Sequence, residues 1–314
     1  MGLTNAARPD LSVTLGPLRL KNPVMVASGT FGFGAEWADF YDLGRLGAIM
    51  VKAVTLKPRQ GNPMPRIAEA PGGLLNSIGL QNPGLDAFVA EKMPYLRRFD
   101  VAVIVNIAAD RLEDFETLAR ELDGVPGIAA LEMNISCPNQ EHGGIEFGVD
   151  PELTRRAVAG VRERTGLPLI VKLSPNVTDI TALARAAREA GADILSLVNT
   201  YVGTAIDART RTFKLALGRG GLSGPCIKPL ALYAVWRVAQ SVDAPLIGMG
   251  GISNATDAVE FLLAGASAVS VGTANFVNPM VGVEVVDGIA DYLMEQGAAS
   301  VAEIVGTVRR PGAR

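Results

Sequence analysis

Cys137 lies in Asn134-Ile135-Ser136-Cys137-Pro138-Asn139, where an apolar run gives way to a polar loop ending in Gly143-Gly144. A thiol in that setting has three readings. As a nucleophile it needs a depressed pKa and a paired base. As a general base it needs only to reach a substrate C–H bond and lose its proton to solvent, with activity rising toward a thiol pKa of about 8.5. As a buried, inert thiol it does neither, although the following proline and the polar loop weigh against that. His142, the sole histidine of the chain, is close enough in sequence to pair with the thiol. The second cysteine, Cys226, in Ser-Gly-Pro-Cys-Ile, reads as packing.

The same kind of boundary recurs along the chain. Apolar runs at 22–28, 47–54, 101–108, 129–136, 168–174, 193–199, 245–251 and 268–274 are nearly continuous, as parallel strands covered on both faces would be. Their far ends carry, in order, Ser28, Lys52, Asn106, Asn134 with Cys137, Lys172, Asn199 with Thr200, Gly250-Gly251 and Gly272-Thr273. Two lysines and three asparagines converging on one face are more than strand ends meeting water would explain. A lysine this deep needs a partner or loses its charge, and an electron-rich cofactor is such a partner. Asn76, Asn106, Asn134 and Asn199 both donate and accept, which suits a heterocycle edged with N–H and C=O groups. Asn254 and Asn278 read instead as cap or turn residues. The glycines at the last two ends would let backbone N–H groups approach an anion, the usual place for a phosphate in a (β/α)8 barrel.

The elements that would position these groups alternate with the runs. In 179–190, Ile180, Leu183, Ala184 and Ala187 share a helical face, with Asp179 as N-cap; in 254–264, Asn254 caps a helix whose face holds Ala258, Phe261 and Leu262. Eight strand–helix units predict a (β/α)8 TIM barrel spanning 1–314 as one domain. An open doubly wound sheet is the rival, but no GxGxxG follows the first run. Residues 11–20, turning at Gly16-Pro17, predict a short hairpin ahead of the barrel. The connections 55–84 and 200–226 are too long for simple turns and read as functional loops.

Composition narrows the classes. At 48% hydrophobic and 19% charged, the 314 residues have an ordinary globular balance. A net charge of -3 gives no nucleic-acid footprint. No apolar stretch reaches the roughly 18 residues of a membrane span, and residues 1–10 lack a signal-peptide core. A cytoplasmic protein with reduced thiols is expected. Two cysteines and one histidine make a Cys/His zinc site implausible, and an iron–sulfur cluster needs about four cysteines. No metal is expected in this chain.

Taken together, ASGTFGFG (27–34), VKAVT (51–55), NSIGLQNPG (76–84), NISCPN (134–139), VKLSPNVTDI (171–180), GGLSGPCIKP (220–229), IGMGGI (247–252) and VGTANF (271–276) resemble the FMN-containing catalytic subunit of dihydroorotate dehydrogenase, in order from about residue 11 to 290. GLQNPG, the Gly-Gly after the cysteine loop and GGLSGP look like the NAD-linked, heteromeric class 1B. The fumarate-linked homodimers of class 1A are the alternative, and a dihydropyrimidine dehydrogenase-like flavoprotein shares the Cys-Pro loop. The quinone-linked class differs by its membrane-associating N-terminal extension and its serine base.

The resemblance implies a role for each matching residue. Ser28, Lys52, Ala53, Asn106, Asn134, Lys172, Val198, Gly224, Gly250, Gly251, Gly272 and Thr273 would hold FMN, the last four at its phosphate. Lys52, Asn76, Ser77, Ile78, Gly79, Leu80, Asn134, Asn199 and Thr200 would hold dihydroorotate. Cys137 would be the base at C5, with hydride passing from C6 to the flavin and orotate formed for UMP biosynthesis. The family also implies a homodimer of catalytic subunits flanked by electron-transfer subunits carrying FAD and a 2Fe–2S cluster, which reduce NAD in a heterotetramer. Two stretches depart from the family's commoner pattern, at Asn106-Ile107-Ala108-Ala109-Asp110 and at Gln140-Glu141-His142. Outside the family, the rivals are a colourless phosphate-binding barrel and a regulatory subunit without turnover.

Overall fold

The computed structural model describes residues 8–135 and 147–309. Its frame is a closed barrel of eight parallel strands. These are β1 (Val24–Val26), β2 (Ala48–Val54), β3 (Ala102–Ile107), β4 (Ile128–Asn134), β5 (Leu169–Lys172), β6 (Ile194–Leu197), β7 (Leu246–Met249) and β8 (Ala268–Val271). They run around the barrel in chain order, and β8 closes on β1 through Val269–Val24 and Ser270–Met25. Seven fall within one of the eight apolar runs and β4 begins one residue ahead of its run, so the (β/α)8 expectation holds.

Helices α1 (Leu112–Asp123), α2 (Pro151–Arg162), α3 (Ile180–Glu189), α4 (Lys228–Ala239), α5 (Ala255–Ala264) and α6 (Val281–Gln296) follow β3 to β8 in turn. A composite helical stretch from Leu85 to Leu96 follows β2. The first crossover departs from the repeating pattern, with a 3-10 turn at Leu43–Arg45 where a helix was expected. The expected caps form. Asp179 accepts from the Thr181 N–H and Asn254 from the Asp257 N–H, while Asn278 accepts from the Met280 N–H in a turn.

The strand period of two divides the apolar side chains into two cores. Ile49, Val51, Val103 and Val105 point outward and pack with helix residues such as Phe115 and Phe261. Met25, Ala48, Met50, Ile104, Ala130, Ile170, Ile194 and Ile247 fill the barrel interior. The predicted hairpin, Val13–Leu15 paired with Leu18–Leu20, packs Leu15, Leu18 and Leu20 against this inner core. Two residues further along the strands the inward positions change character. Met50 is succeeded by Lys52, Ile104 by Asn106, Ala130 by Glu132, Ile170 by Lys172, Ile194 by Ser196 and Ala268 by Ser270. The barrel is thus greasy at its base and polar toward the C-terminal ends of its strands, where this fold carries its chemistry.

The two long connections hold more order than their composition suggests. Ile67–Ala70, Gly73–Asn76, Gly220–Ser223 and Tyr201–Gly203 form a four-stranded antiparallel sheet. Ile206–Asp207 and Thr212–Phe213 form a separate small hairpin. Among the described residues, no helix is long and apolar enough to cross a membrane.

Candidate active site

The polar end of the barrel opens into a cavity of about 300 Å³. Its wall is built from every strand end except that of β3, and from the four-stranded sheet. Of the residues expected from the sequence to hold FMN, Ser28, Lys52, Ala53, Asn134, Lys172, Val198, Gly224, Gly250, Gly251, Gly272 and Thr273 line it. Of those expected to hold the substrate, Lys52, Asn76, Ile78, Gly79, Leu80, Asn134, Asn199 and Thr200 line it too. Residues more than a hundred positions apart are therefore brought to one wall by the closure of the barrel.

At the ends of β7 and β8 the wall is nearly bare backbone. Gly250 and Gly251 have φ of 122° and 84°, a region that costs other L-residues about 1–2 kcal/mol. A Cβ on Gly250 would lie 2.7 Å from the Ala231 Cβ, and one on Gly251 would lie 2.8 Å from the Lys228 Cβ. Lys228 is itself tied to Asp257 at 2.6 Å and Glu260 at 2.9 Å, and Asp257 also accepts from the Ser253 N–H. The loop after β7 is thus clamped from outside. Thr273 donates to the Ser223 hydroxyl at 2.7 Å, joining the β8 end to the sheet.

The amide-rich part of the wall is cross-linked. Asn199 Nδ2 donates to Asn134 Oδ1 at 3.3 Å, and Asn199 Oδ1 accepts from the Thr200 N–H at 2.8 Å. Asn176 donates to the Thr200 carbonyl and accepts from the Val202 N–H, which fixes the start of Tyr201–Gly203. Lys172 is 5% exposed, so its ammonium is held almost wholly inside the protein. Burial pushes the Lys52 pKa below its ordinary value, and the Arg66 charge pushes it the same way, against a smaller opposite pull from Glu36. A group whose charged form is so disfavoured gains most from an anion placed beside it.

The segment 76–84 is held across the cavity by Asn82, which the sequence reading passed over. Asn82 is 7% exposed. Its Oδ1 accepts from the Thr55 and Gly84 N–H groups, and its Nδ2 donates to Thr55 Oγ1 and to the Leu80 carbonyl. That last bond helps keep Leu80 in the left-handed region, at φ 56°.

Four expectations are not met by the wall or lie outside the described residues. Asn106 is fully buried and is not part of the cavity wall, because its Nδ2 is drawn to Glu132 Oε2 at 2.5 Å. Ser77 is likewise fully buried and off the wall; its neighbours Asn76 and Ile78 face the cavity in the alternation of an extended segment. Cys226, read as packing, is exposed, within the 3-10 turn Pro225–Ile227, where its backbone N–H donates to the Gly72 carbonyl and its thiol to the Ser223 carbonyl at 3.9 Å. Cys137 and His142 fall in 136–146, outside the described residues. The sequence reading missed Ser223, Met249 and Ser270, all on the wall. Ser223 and Met249 lie inside the quoted GGLSGP and IGMGGI strings, whereas Ser270 sits within what read as plain apolar strand.

The model of the dihydroorotate dehydrogenase family matches residues 10–293. Three relatives are named dihydroorotate dehydrogenase B (NAD(+)), catalytic subunit. That of Desulforudis audaxviator is 56% identical over 301 residues, covering 96% of this chain and 98% of its own. That of Geotalea uraniireducens is 55% identical over 301 residues, covering 96% and 99%. That of Geotalea daltonii is 54% identical over 303 residues, again covering 96% and 99%.

Proposed function

This chain belongs to the dihydroorotate dehydrogenase family, and on that premise we propose that it is the catalytic subunit of an NAD-linked dihydroorotate dehydrogenase, oxidising (S)-dihydroorotate to orotate in pyrimidine biosynthesis. The observation that carries the reading is the cavity wall itself. Two lysines, a set of cross-linked asparagine amides and a glycine-built end share one cavity at the C-terminal mouth of the barrel.

The wall fits FMN. Gly250 and Gly251, free of side chains because Ala231 and Lys228 pack against them, face the cavity with backbone alone, which suits the close approach of a phosphate. Ala53, Val198 and Met249 offer apolar surface to a ring. Lys52 and Lys172 supply positive charge where a reduced flavin would carry negative charge. Held there, FMN would supply the hydride acceptor for C6 of the substrate.

The rest of the chemistry falls to the chain. Asn76, Asn134 and Asn199 can pair with the alternating N–H and C=O groups of a dihydropyrimidine ring. Lys52 binds the substrate carboxylate, which restores the charge that burial disfavours. Ile78, Gly79 and Leu80, held by Asn82, close over the substrate and keep water from it. Cys137, three residues beyond Asn134, takes the C5 proton as a solvent-linked base; a base within hydrogen-bond reach contributes typically ~10²–10⁴ in rate. As the NAD-linked class implies, the electrons go to a second subunit bearing FAD and a 2Fe–2S cluster, which the two cysteines of this chain could not ligate. NAD is the final acceptor, and two catalytic subunits with two partners form the assembly.

The test begins with colour. The purified protein should carry a flavin absorption band that bleaches on anaerobic mixing with dihydroorotate. NAD reduction should appear only with the co-purifying subunit. A colourless protein, or a flavin bleached by dihydrouracil in preference to dihydroorotate, would overturn the reading.

A further inference from the structure

Two loops that carry cavity glycines are tied together by charges lying behind the wall. Gly224 and Ile227, just ahead of α4, and Gly250 and Gly251, just after β7, all line the cavity. Lys228, the first residue of α4, sits behind them. Its Cβ lies 2.8 Å and its backbone nitrogen 2.9 Å from where a Gly251 Cβ would be, and the Gly224 carbonyl lies 2.9 Å from the same point. The Lys228 ammonium donates to Asp257 Oδ1 at 2.6 Å and pairs with Glu260 at 2.9 Å, both on α5. Its hydrogen bonds to Asp257 and then Glu260 hold its pKa above the ordinary lysine value. Asp257 is 8% exposed, and its Oδ2 accepts from the Ser253 N–H at 2.8 Å. Ser253 Oγ in turn donates to the Gly251 carbonyl at 3.3 Å.

The glycine pair is thus gripped from both directions. Lys228 packs on it from the α4 side, and Asp257 reaches it through Ser253 from the α5 side. Glycine has more backbone freedom to lose than any other residue, so two in a row keep one shape only if something outside them imposes it. Fixing the backbone of one residue is worth about a 5- to 30-fold change in affinity. A pair fixed in advance spares a bound anion that cost.

We propose, on the FMN reading given above, that Lys228 and Asp257 are positioning residues for the cofactor phosphate: their ion pair holds Gly250 and Gly251 in the shape that receives it. The consequence is selectivity. FMN and riboflavin share the ring and the ribityl chain and differ only in the phosphate, so the pair matters to the first and not to the second.

The test titrates the flavin-free full chain with FMN and with riboflavin, following the change in flavin fluorescence. Lys228→Met keeps the methylenes that pack on Gly251 and removes the charge. FMN should bind about fivefold or more weakly, the ordering cost of one residue, while riboflavin stays within about twofold. Both flavins bound as by the parent, or both weakened by the same factor, would overturn the assignment. If riboflavin binds too weakly to titrate, the phosphorus NMR resonance of bound FMN decides: it should move or broaden in the variant, and an unchanged resonance overturns the proposal. If Lys228→Met does not fold, Asp257→Asn keeps an acceptor for the Ser253 N–H and leaves Lys228 its contact with Glu260. FMN should then weaken about threefold with riboflavin unaffected, and equal effects or none again overturn it. A parent chain that binds neither flavin would instead fail the functional reading itself.

Discussion

Replacing Asn82 by alanine should loosen the substrate end of the cavity while leaving the cofactor end intact. The side chain makes four hydrogen bonds, two accepted and two donated. Thr55 and Gly84, whose N–H groups it accepts from, are both buried. A buried donor left unmet costs about 1–3 kcal/mol, so the closed segment would lose about 2–3 kcal/mol before it opens and lets water in. Opening also frees Leu80 from its left-handed φ of 56°. At 1.4 kcal/mol per tenfold, the closed-to-open ratio falls by about 30- to 150-fold, and a ligand that needs the closed form binds more weakly by up to the same factor. Orotate binding, read from the perturbed flavin spectrum, should weaken accordingly. FMN retention should stay within about threefold, because Lys172, Gly250, Gly251 and Thr273 lie on other strand ends; the same threefold is the limit of what a remote change does. Asn82→Asp should fall between the two. It keeps both accepted bonds but sets a carboxylate against the Leu80 carbonyl, 2.7 Å from the present Nδ2. Orotate bound as tightly by Asn82→Ala as by the parent, or FMN lost in parallel with orotate, would refute the division of the cavity drawn here.

Other perturbations read other parts of the site. Lys52 has a pKa lowered by burial and by Arg66, and an anion binds its charged form. Orotate affinity should therefore be full below that lowered pKa and fall as pH rises through it, at a pH below the ordinary 10.5; Lys52→Met should flatten the profile, and a parent profile already flat there would count against the carboxylate contact. Gly251→Ala places a Cβ 2.8 Å from Lys228 and 2.9 Å from the Gly224 carbonyl at a φ of 84°, so FMN should be released about 5- to 30-fold faster, given about 1–2 kcal/mol of backbone cost alone. Cys137→Ser should retain FMN yet slow its bleaching by dihydroorotate, with the pH dependence moved upward from a thiol pKa of about 8.5; bleaching at the parent rate would remove Cys137 from its role. Asp179→Ala removes the cap of α3 and its bond to the Thr181 N–H, and should cost about 0.5–2 kcal/mol in denaturant unfolding.

The fold was legible because its signals are local and repeated. Each barrel strand is covered on both faces, so each reads as a continuous apolar run, and eight such runs with helices between them leave few ways to close. Caps were legible for the same reason: Asp179 and Asn254 bond to N–H groups two and three residues away. The four-stranded sheet was not, because its strands are three or four residues long and one of them is half glycine. Their pairing, such as Asn76 with Gly221, spans more than a hundred residues and leaves no periodic trace in either segment. The missing first helix is a similar case. Glycines and aromatics between Gly29 and Tyr41 set a chain of short turns, such as Gly34 N–H to the Phe31 carbonyl, packed down by a fully buried Phe31.

The site divides along the same physical line. Residues that end an apolar run announce themselves by the change of type, which is how Lys52, Asn134, Lys172 and Asn199 could be picked out. Residues whose role is to hold others do not. Lys228 and Asp257 each sit in the first turn of a helix, where a single charge looks like any solvent-facing residue. Only the packing of α4 beside α5 shows that they meet, with Ser253 arriving at the second carboxylate oxygen. Asn82 is hidden in the same way, since an Asn before a Pro and a Gly has the chemistry of any turn. The two cases share a cause. A group that touches ligand is placed at a boundary by the fold, and boundaries show in sequence; a group that orients it sits behind that boundary, and its partners lie on another helix or across a loop. The positioning layer of this barrel is therefore where substitutions should separate binding from stability most cleanly.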